Sequence, residues 1–252
     1  MDTVYFLVQQ TMFFSIPLLV VALGGMFSER SGVVNIALEG IMIMGAFCSM
    51  LTVNLLQDTM QGQGLLLIAM VVAIVSGMIF SLLHAYASIN MKADQVISGT
   101  ALNLFAPAFA IFVARIWQGY KDINFNNTFR IESVPALGKI PVLGPLFFQN
   151  AYITTYIGLA ILVIATIILY KTKFGLRLRA CGEHPQAADS VGVNVYKMRY
   201  AGVIISGALA GLGGLIFVVP TSTSFSATVS GYGFLALAVL IFGQWKPKRI
   251  LF

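Results

Sequence analysis

Runs of about 20 apolar residues, recurring along the whole chain, constrain its fold more than any other feature. Seven can be drawn, at about 4–27, 33–56, 65–89, 96–117, 151–170, 200–220 and 232–244, the last of them short. A helix of roughly 20 residues crosses the hydrocarbon core of a bilayer, whereas a barrel strand crosses it with about 10 alternating ones. Lipid offers backbone amides no partner, so helices and closed barrels are the two spanning solutions, and the run length selects helices. Charge agrees: Asp, Glu, Lys and Arg make up 10% of the 252 residues, too few to cover a chain that is 58% hydrophobic. A soluble domain carries about 25%. The expected fold is an all-α, polytopic integral membrane bundle, one domain over 1–252 with about seven transmembrane segments. The opening residues MDTVYFLVQQ lack the basic start of a secretory signal, so the first run is expected to be retained as a helix.

Basic residues orient the bundle. The densest basic stretch, 171–199, holds Lys171, Lys173, Arg177, Arg179, Lys197 and Arg199, which places it in the cytoplasm. Alternation from there brings Arg30, Lys92, Lys246, Lys248 and Arg249 to the same side, eleven of the fifteen basic residues in all. The N-terminus is then outside, the C-terminus cytoplasmic, and the longest connection, 118–149, outside. Pro135, Pro141 and Pro145 favour turns and extended pieces there, and the apolar stretch 140–148 returns to the membrane surface as a lid or docking surface, or is a plain connector.

Several functions are excluded by absence of pattern. No GxxxxGK[ST], HExxH, CxxC or EF-hand motif occurs, and Gly138-Lys139 is followed by Ile and lacks the leading glycine. His84 in an apolar run and His184 in the basic loop are each alone, so no metal site is expected, and both are read as helix-facing or capping. Cys48 and Cys181 lie in an apolar run and a basic loop and are not expected to pair. No basic run is interleaved with aromatics, so nucleic acid is not a partner. No catalytic constellation is found, and energy for any driven process must come from another chain.

Polar residues within the apolar runs are the candidates for function, because such side chains face a bundle interior or a wet cavity. In ERSGVVNIALEG, residues 29–40, Asn35 and Glu39 are four apart and would share one helix face, with Glu39 about 10 Å beyond the Glu29-Arg30 turn. In KADQVISGTALNLFAPA, residues 92–108, Ser98 and Thr100 can bond to their own helix, while Asn103 is harder to hide. In ISGALAGLGG, Gly207 with Gly211 and Ala210 with Gly214 form a small-residue packing face. In the basic loop, Pro185 suits a first helical turn after Glu183 and His184, and Gly192 suits a left-handed helix end, which leaves QAADSV as a short helix.

That short helix carries a resemblance. Gln186-Ala187-Ala188-Asp189-Ser190-Val191-Gly192 resembles the EAAxxxG segment of ABC-transporter permeases, with Gln in place of the leading Glu. The wider stretch GLRLRACGEHPQAADSVGVNVYKMRYAGVIISGALAGLGG is similar to permeases that import branched-chain amino acids, ribose-type sugars and nucleosides, while ADQVISGTALNL and VVNIALEG look most like the nucleoside branch. The resemblance covers most of 10–245 and is weak over 118–149. It implies a coupling helix to an ATP-binding cassette subunit, made of Glu183, His184, Pro185, Gln186, Ala187, Ala188, Asp189 and Gly192. It implies that 31–47 is an irregular, partly broken helix beside the translocation path, with Asn35, Glu39, Ser98 and Asn103 as substrate-pathway residues. Glu39 is otherwise read as a helix-end carboxylate bonded to backbone or to Arg30. Phe105, Phe109 and Phe225 are candidates for stacking on a base. The implied partners are the ATP-binding subunit, where ATP and Mg would sit, a second permease subunit, an extracellular substrate-binding protein and the bilayer of the cell membrane. No cofactor is expected on this chain itself. Family members continue past the GQWKP region with further membrane helices, whereas this sequence stops at KPKRILF. The alternatives are the same machinery for simple sugars or branched-chain amino acids, or a non-transporting membrane subunit.

Overall fold

The computed structural model describes residues 2–133 and 144–251, so Pro135, Lys139, Pro141 and residues 140–143 of the apolar stretch 140–148 lie outside the described residues. Among the described residues six helices are long and apolar enough to cross a membrane: α1 (Asp2–Arg30), α2 (Leu38–Leu56), α3 (Gln63–Ala85, continued by a π-helical turn Tyr86–Asn90), α4 (Gln95–Gln118), α5 (Ile153–Lys171) and, after two short helices, α8 (Val195–Thr221). The fold is all-α and polytopic, as expected. Helices α6 (Lys173–Glu183) and α7 (Pro185–Ser190) lie between α5 and α8, and α9 (Tyr232–Phe242) and α10 (Pro247–Leu251) follow α8.

The two ends of the bundle differ. At the basic end, Arg30 pairs with Glu183 at 3.5 Å and Tyr200 Oη donates to Asn90 Oδ1 at 2.5 Å. Here α6 turns its stripe of Gly175, Leu178 and Cys181 inward. At the opposite end, β1 (Ile123–Asn124) pairs antiparallel with β4 (Ser224–Phe225), and β2 (Ile131–Ser133) with β3 (Gln149–Ala151). Side-chain amides tie these strands to the helices: Asn54 donates to Asn124 O at 2.7 Å and Gln63 to Phe129 O at 2.9 Å. The described part of the long connection is short extended pieces with one π-helical turn at Gly144–Phe148, which contains Pro145.

The core centres on α8, which packs against α1, α2 and α3. Small residues let the backbones touch. A Cβ added at Gly211 would stand 2.3 Å from Ala73 O, and one at Gly77 would stand 2.2 Å from Gly207 O. Lipid tails are as apolar as leucine, so close packing of this kind is what holds membrane helices together. The four-residue spacing in ISGALAGLGG is therefore used as a packing face.

Two expected helices are interrupted. The run 33–56 becomes helical only at Leu38, and the segment between Arg30 and Leu38 is non-helical. Gly32 takes a left-handed φ of +89°, and Val33, Val34 and Asn35 are poor helix formers, so the backbone accepts other partners. The run 232–244 gives a helix of 11 residues, about 16 Å long, half the thickness of the hydrocarbon core. Residues 222–231 are non-helical around β4, and α9 leads from them to the basic end, where Trp245 Nε1 donates to Glu29.

The Gly211→Val variant is expected to lower the stability of the purified protein by about 1–3 kcal/mol or more through overpacking. Gly64→Ala is its control, because the nearest atom to the added Cβ is a methionine methyl at 3.9 Å. Thermal unfolding in detergent measures both, and equal midpoints for the two variants would contradict the packing account.

Candidate functional site

Every backbone group in the break between α1 and α2 that water would otherwise satisfy needs a partner at membrane depth. The neighbouring helices supply them. From α1, Ser28 Oγ donates to Val33 O at 2.7 Å. From α4, Gln95 Oε1 accepts from Val34 N at 2.8 Å. From α3, His84 Nε2 meets Val34 O at 3.0 Å while its Nδ1 meets Ser98 Oγ at 3.1 Å. A carbonyl cannot donate, so Nε2 carries the proton and Nδ1 accepts from the serine. Asn103, also from α4, spans the break: its Nδ2 donates to Ile36 O at 2.8 Å and its Oδ1 accepts from Gly40 N at 2.7 Å. Asn35 folds back to accept from Ala37 N at 3.2 Å and donates to Ser206 Oγ of α8 at 2.9 Å.

Glu39 joins this break to the second one. It lies in the first turn of α2, and its carboxylate reaches the start of α9, accepting from Gly231 N at 2.9 Å and Gly233 N at 2.6 Å. α9 has no side-chain cap of its own, and its N-cap, Gly231, is left-handed at φ +80°. The first amides of a helix have no intrahelical partner and carry partial positive charge, so a carboxylate is the strongest cap available to them. Only glycine fits at 233, where an added Cβ would stand 2.3 Å from Glu39 N.

The four residues predicted for the pathway, Asn35, Glu39, Ser98 and Asn103, are therefore brought together around one segment. Three of the expectations about them change, the first being that Ser98 bonds to His84 Nδ1 rather than to its own helix. Asn35 and Glu39 do not share a helix face, because Asn35 precedes α2. Glu39 bonds to backbone, as one reading held, but to α9 rather than to Arg30. His84, Gln95 and Ser206 complete the set. The signals for them were a lone histidine in an apolar run, a glutamine beside Asp94, and a serine opening the small-residue stripe. Of the candidate stacking residues, Phe105 lies 5.5 Å from Phe109 and 6.2 Å from Phe80 on a half-exposed face, whereas Phe225 is buried.

The loop segment predicted to couple forms α7 at the basic end. Pro185 takes its first position, His184 its N-cap position, and Gly192 closes it in the left-handed region at φ +81°. Ala188 is buried against the bundle, while Glu183, His184, Gln186, Ala187, Asp189 and Gly192 are exposed and Pro185 is half-buried. Just before α7, Gly182 rests on the break itself: an added Cβ would stand 2.4 Å from Arg30 O and 3.2 Å from Gly32 N. Arg30, besides pairing with Glu183, donates to Trp245 O at 3.3 Å. The lead-in to α7, the first break and the end of α9 thus meet at one junction. Cys181 is buried beside it; burial pushes its thiol up, and the nearby Arg199 partly opposes this. Both cysteines are free.

Discontinuous helices whose freed backbone is braced by polar side chains recur in membrane transport proteins. The family described as branched-chain amino acid transport system / permease component matches residues 7–252, and the chain belongs to it. It is 46% identical to the guanosine ABC transporter permease protein NupQ of Bacillus subtilis over 243 residues, 96% of this chain and 76% of the relative. It is 42% identical to the nucleoside ABC transporter permease protein NupC of Lactococcus lactis, over 98% of this chain and 78% of the relative. It is 32% identical to the putative glucose ABC transporter permease protein TsgC13 of Haloferax volcanii, over 93% and 69%. No solved structure matches the chain.

Glu39→Gln turns one acceptor into an NH2 group facing a backbone amide, and His84→Leu leaves Val34 O and Ser98 Oγ unpaired. Each is expected to cost about 1–3 kcal/mol, the desolvation penalty of a buried unsatisfied group. Thermal unfolding of the purified variants measures this, and wild-type midpoints in both would contradict the bracing account.

Proposed function

We propose that this chain is the membrane-spanning permease subunit of an ABC importer that carries nucleosides across the cell membrane, driven by ATP hydrolysis on a separate ATP-binding subunit. The observation that carries the substrate class is the likeness along nearly the whole chain to permeases named for guanosine and for nucleosides. The basic end is cytoplasmic by the distribution of Lys and Arg, which puts the start of α1 outside and residues 246–249 inside. A binding protein delivers substrate to the outer face, and a second permease subunit, identical or homologous, completes the path. ATP with its Mg is held by the partner, and this chain itself hydrolyses nothing.

Coupling runs through α7. Its exposed face, with Ala187 at the centre, suits a groove on the ATP-binding subunit, and its buried Ala188 seats it on the bundle. ATP favours the state to which it binds better, and movement of α7 shifts the permease only through contacts that differ between states. Gly182 on the backbone of the first break, and Arg30 between Glu183 and Trp245, are such contacts. Asn35, Glu39, Ser98 and Asn103 act here by holding the two breaks that shape the path.

Uptake of labelled guanosine by the complete transporter in proteoliposomes, with adenosine, inosine, ribose, glucose and leucine as competitors, tests the substrate class. Competition by adenosine or inosine but not by sugars or leucine is the expected result, and competition by leucine alone would contradict it. Ala187→Arg is expected to leave thermal stability unchanged and to weaken capture of the ATP-binding subunit by about tenfold or more, the usual cost of disrupting an interface centre. Undiminished co-purification and uptake would contradict the docking role of α7.

A further inference from the structure

Residues 222–231 read STSFSATVSG; Ser222, Thr223 and Ser224 are all exposed, and from Ser224 to Ser230 the exposure alternates. Ser222, Ser224, Ser226, Thr228 and Ser230 are exposed, while Phe225, Ala227 and Val229 are buried. One side of this irregular segment is thus a row of hydroxyls at every second residue. The row starts at β4 and ends one residue before Gly231, where the Glu39 carboxylate takes over. Two non-glycine residues within it, Ala227 at φ 54° and Ser230 at φ 55°, hold left-handed conformations. Such strain in alanine and serine persists where the surroundings over-determine the backbone, and it gathers at functional sites.

The row also lines a cavity. A space of about 360 Å³ is walled by the five hydroxyl residues on one side and by Phe14 and Phe217 on the other. That volume falls in the range of about 300–1,000 Å³ found for small-molecule sites. A second space of about 410 Å³ adjoins it, shares Thr221, Ser222 and Ser224, and is bordered by Asn127, whose Oδ1 has no hydrogen-bond partner. Non-helical backbone at membrane depth is tolerated only within protein or beside water, and exposed hydroxyls in lipid gain nothing. The exposed side of 222–230 therefore faces a hydrated space.

We propose that this hydroxyl row is the substrate-contacting wall of the path and that it recognises the sugar hydroxyls of the permeant. Hydroxyls at alternate positions both donate and accept, which suits a ring bearing two or three adjacent hydroxyls. Phe14, nearly half exposed and lining the same cavity, offers an apolar face to a flat base. Recognition is shared among several weak, equivalent contacts, so the ligand passes from one to the next without being trapped. The role of the row as a wet wall stands on the geometry alone, and its preference for a nucleoside's ribose rests on the function proposed above.

Two measurements on the complete transporter separate these parts. First, with Cys48 and Cys181 replaced by Ala, single cysteines are placed at 224, 226 and 230 and at 225, 227 and 229. A membrane-impermeant maleimide is expected to label the first group and spare the second, with guanosine slowing the labelling. Equal labelling of both groups, or none at the even positions, overturns the wall. Second, uptake of guanosine is competed with 2′,3′-dideoxyguanosine in the wild type and in the Ser224→Ala/Ser226→Ala/Ser230→Ala variant, with the same binding protein so that its own selectivity cancels. The variant is expected to lose the preference for guanosine by about tenfold, as happens when hydrogen-bonding partners are removed from both sides. An unchanged preference overturns recognition of the sugar. Alternating labels in a transporter that takes up no nucleoside would retain the wall and reject the nucleoside reading.

Discussion

The contact on which the rest of this structure depends is the Glu39 carboxylate on the amides of Gly231 and Gly233. It joins two interruptions far apart in sequence, one between α1 and α2, the other between α8 and α9. Each interruption alone would leave backbone groups without partners in a medium that offers none. Together they complete each other, because the acidic group at the start of one helix is the cap of the other. The half-length of α9, the non-helical stretch around β4 and the late start of α2 all follow from that junction.

Rigidity and freedom are divided around it. The glycine contacts of α8 with α3 bring backbones so close that no side chain can be added, and they fix Ser206 where Asn35 needs it. In contrast, α4 is mostly exposed and touches the bundle largely through α2 and the polar residues that brace the break. At the basic end, the lead-in to α7 lies on the carbonyl of Arg30 and beside Trp245. Under the coupling proposed above, a push on α7 arrives at the junction that both breaks share. Exposed ion pairs such as Arg30–Glu183 add little to stability, so the value of this one lies in linkage rather than in holding the fold.

Much of the architecture was legible in the sequence because it rests on run length and punctuation. Six apolar runs became long helices, Pro185 and Gly192 bounded α7, and the spacing of Gly207, Ala210, Gly211 and Gly214 marked the packing face. The polar residues Asn35, Glu39, Ser98 and Asn103 were identifiable as unusual because each is costly to leave unpaired among apolar neighbours. What each one bonds to was not legible, since the partners are backbone groups brought near by tertiary packing up to 194 residues away. The apolar run from residue 33 reads as helix, and the irregularity of 31–47 comes only from the family resemblance, because helical periodicity reports where apolar faces point and is blind to whether a neighbour's amide has replaced the i to i−4 bond. The hydroxyls alternate from Ser224 to Ser230, a period of two that carries no signal in a chain whose apolar runs have helical length.

Hydrogen–deuterium exchange at the amides of Val34, Ala37, Gly40, Gly231 and Gly233, measured on the assembled transporter in nanodiscs, tests the bracing of the two breaks most directly. These amides donate to Gln95, Asn35, Asn103 and Glu39, so they should exchange as slowly as the neighbouring amides of α2 and α9, despite their place in or beside non-helical chain beside a hydrated path. Exchange at the rate of an open loop, within seconds, would contradict the account.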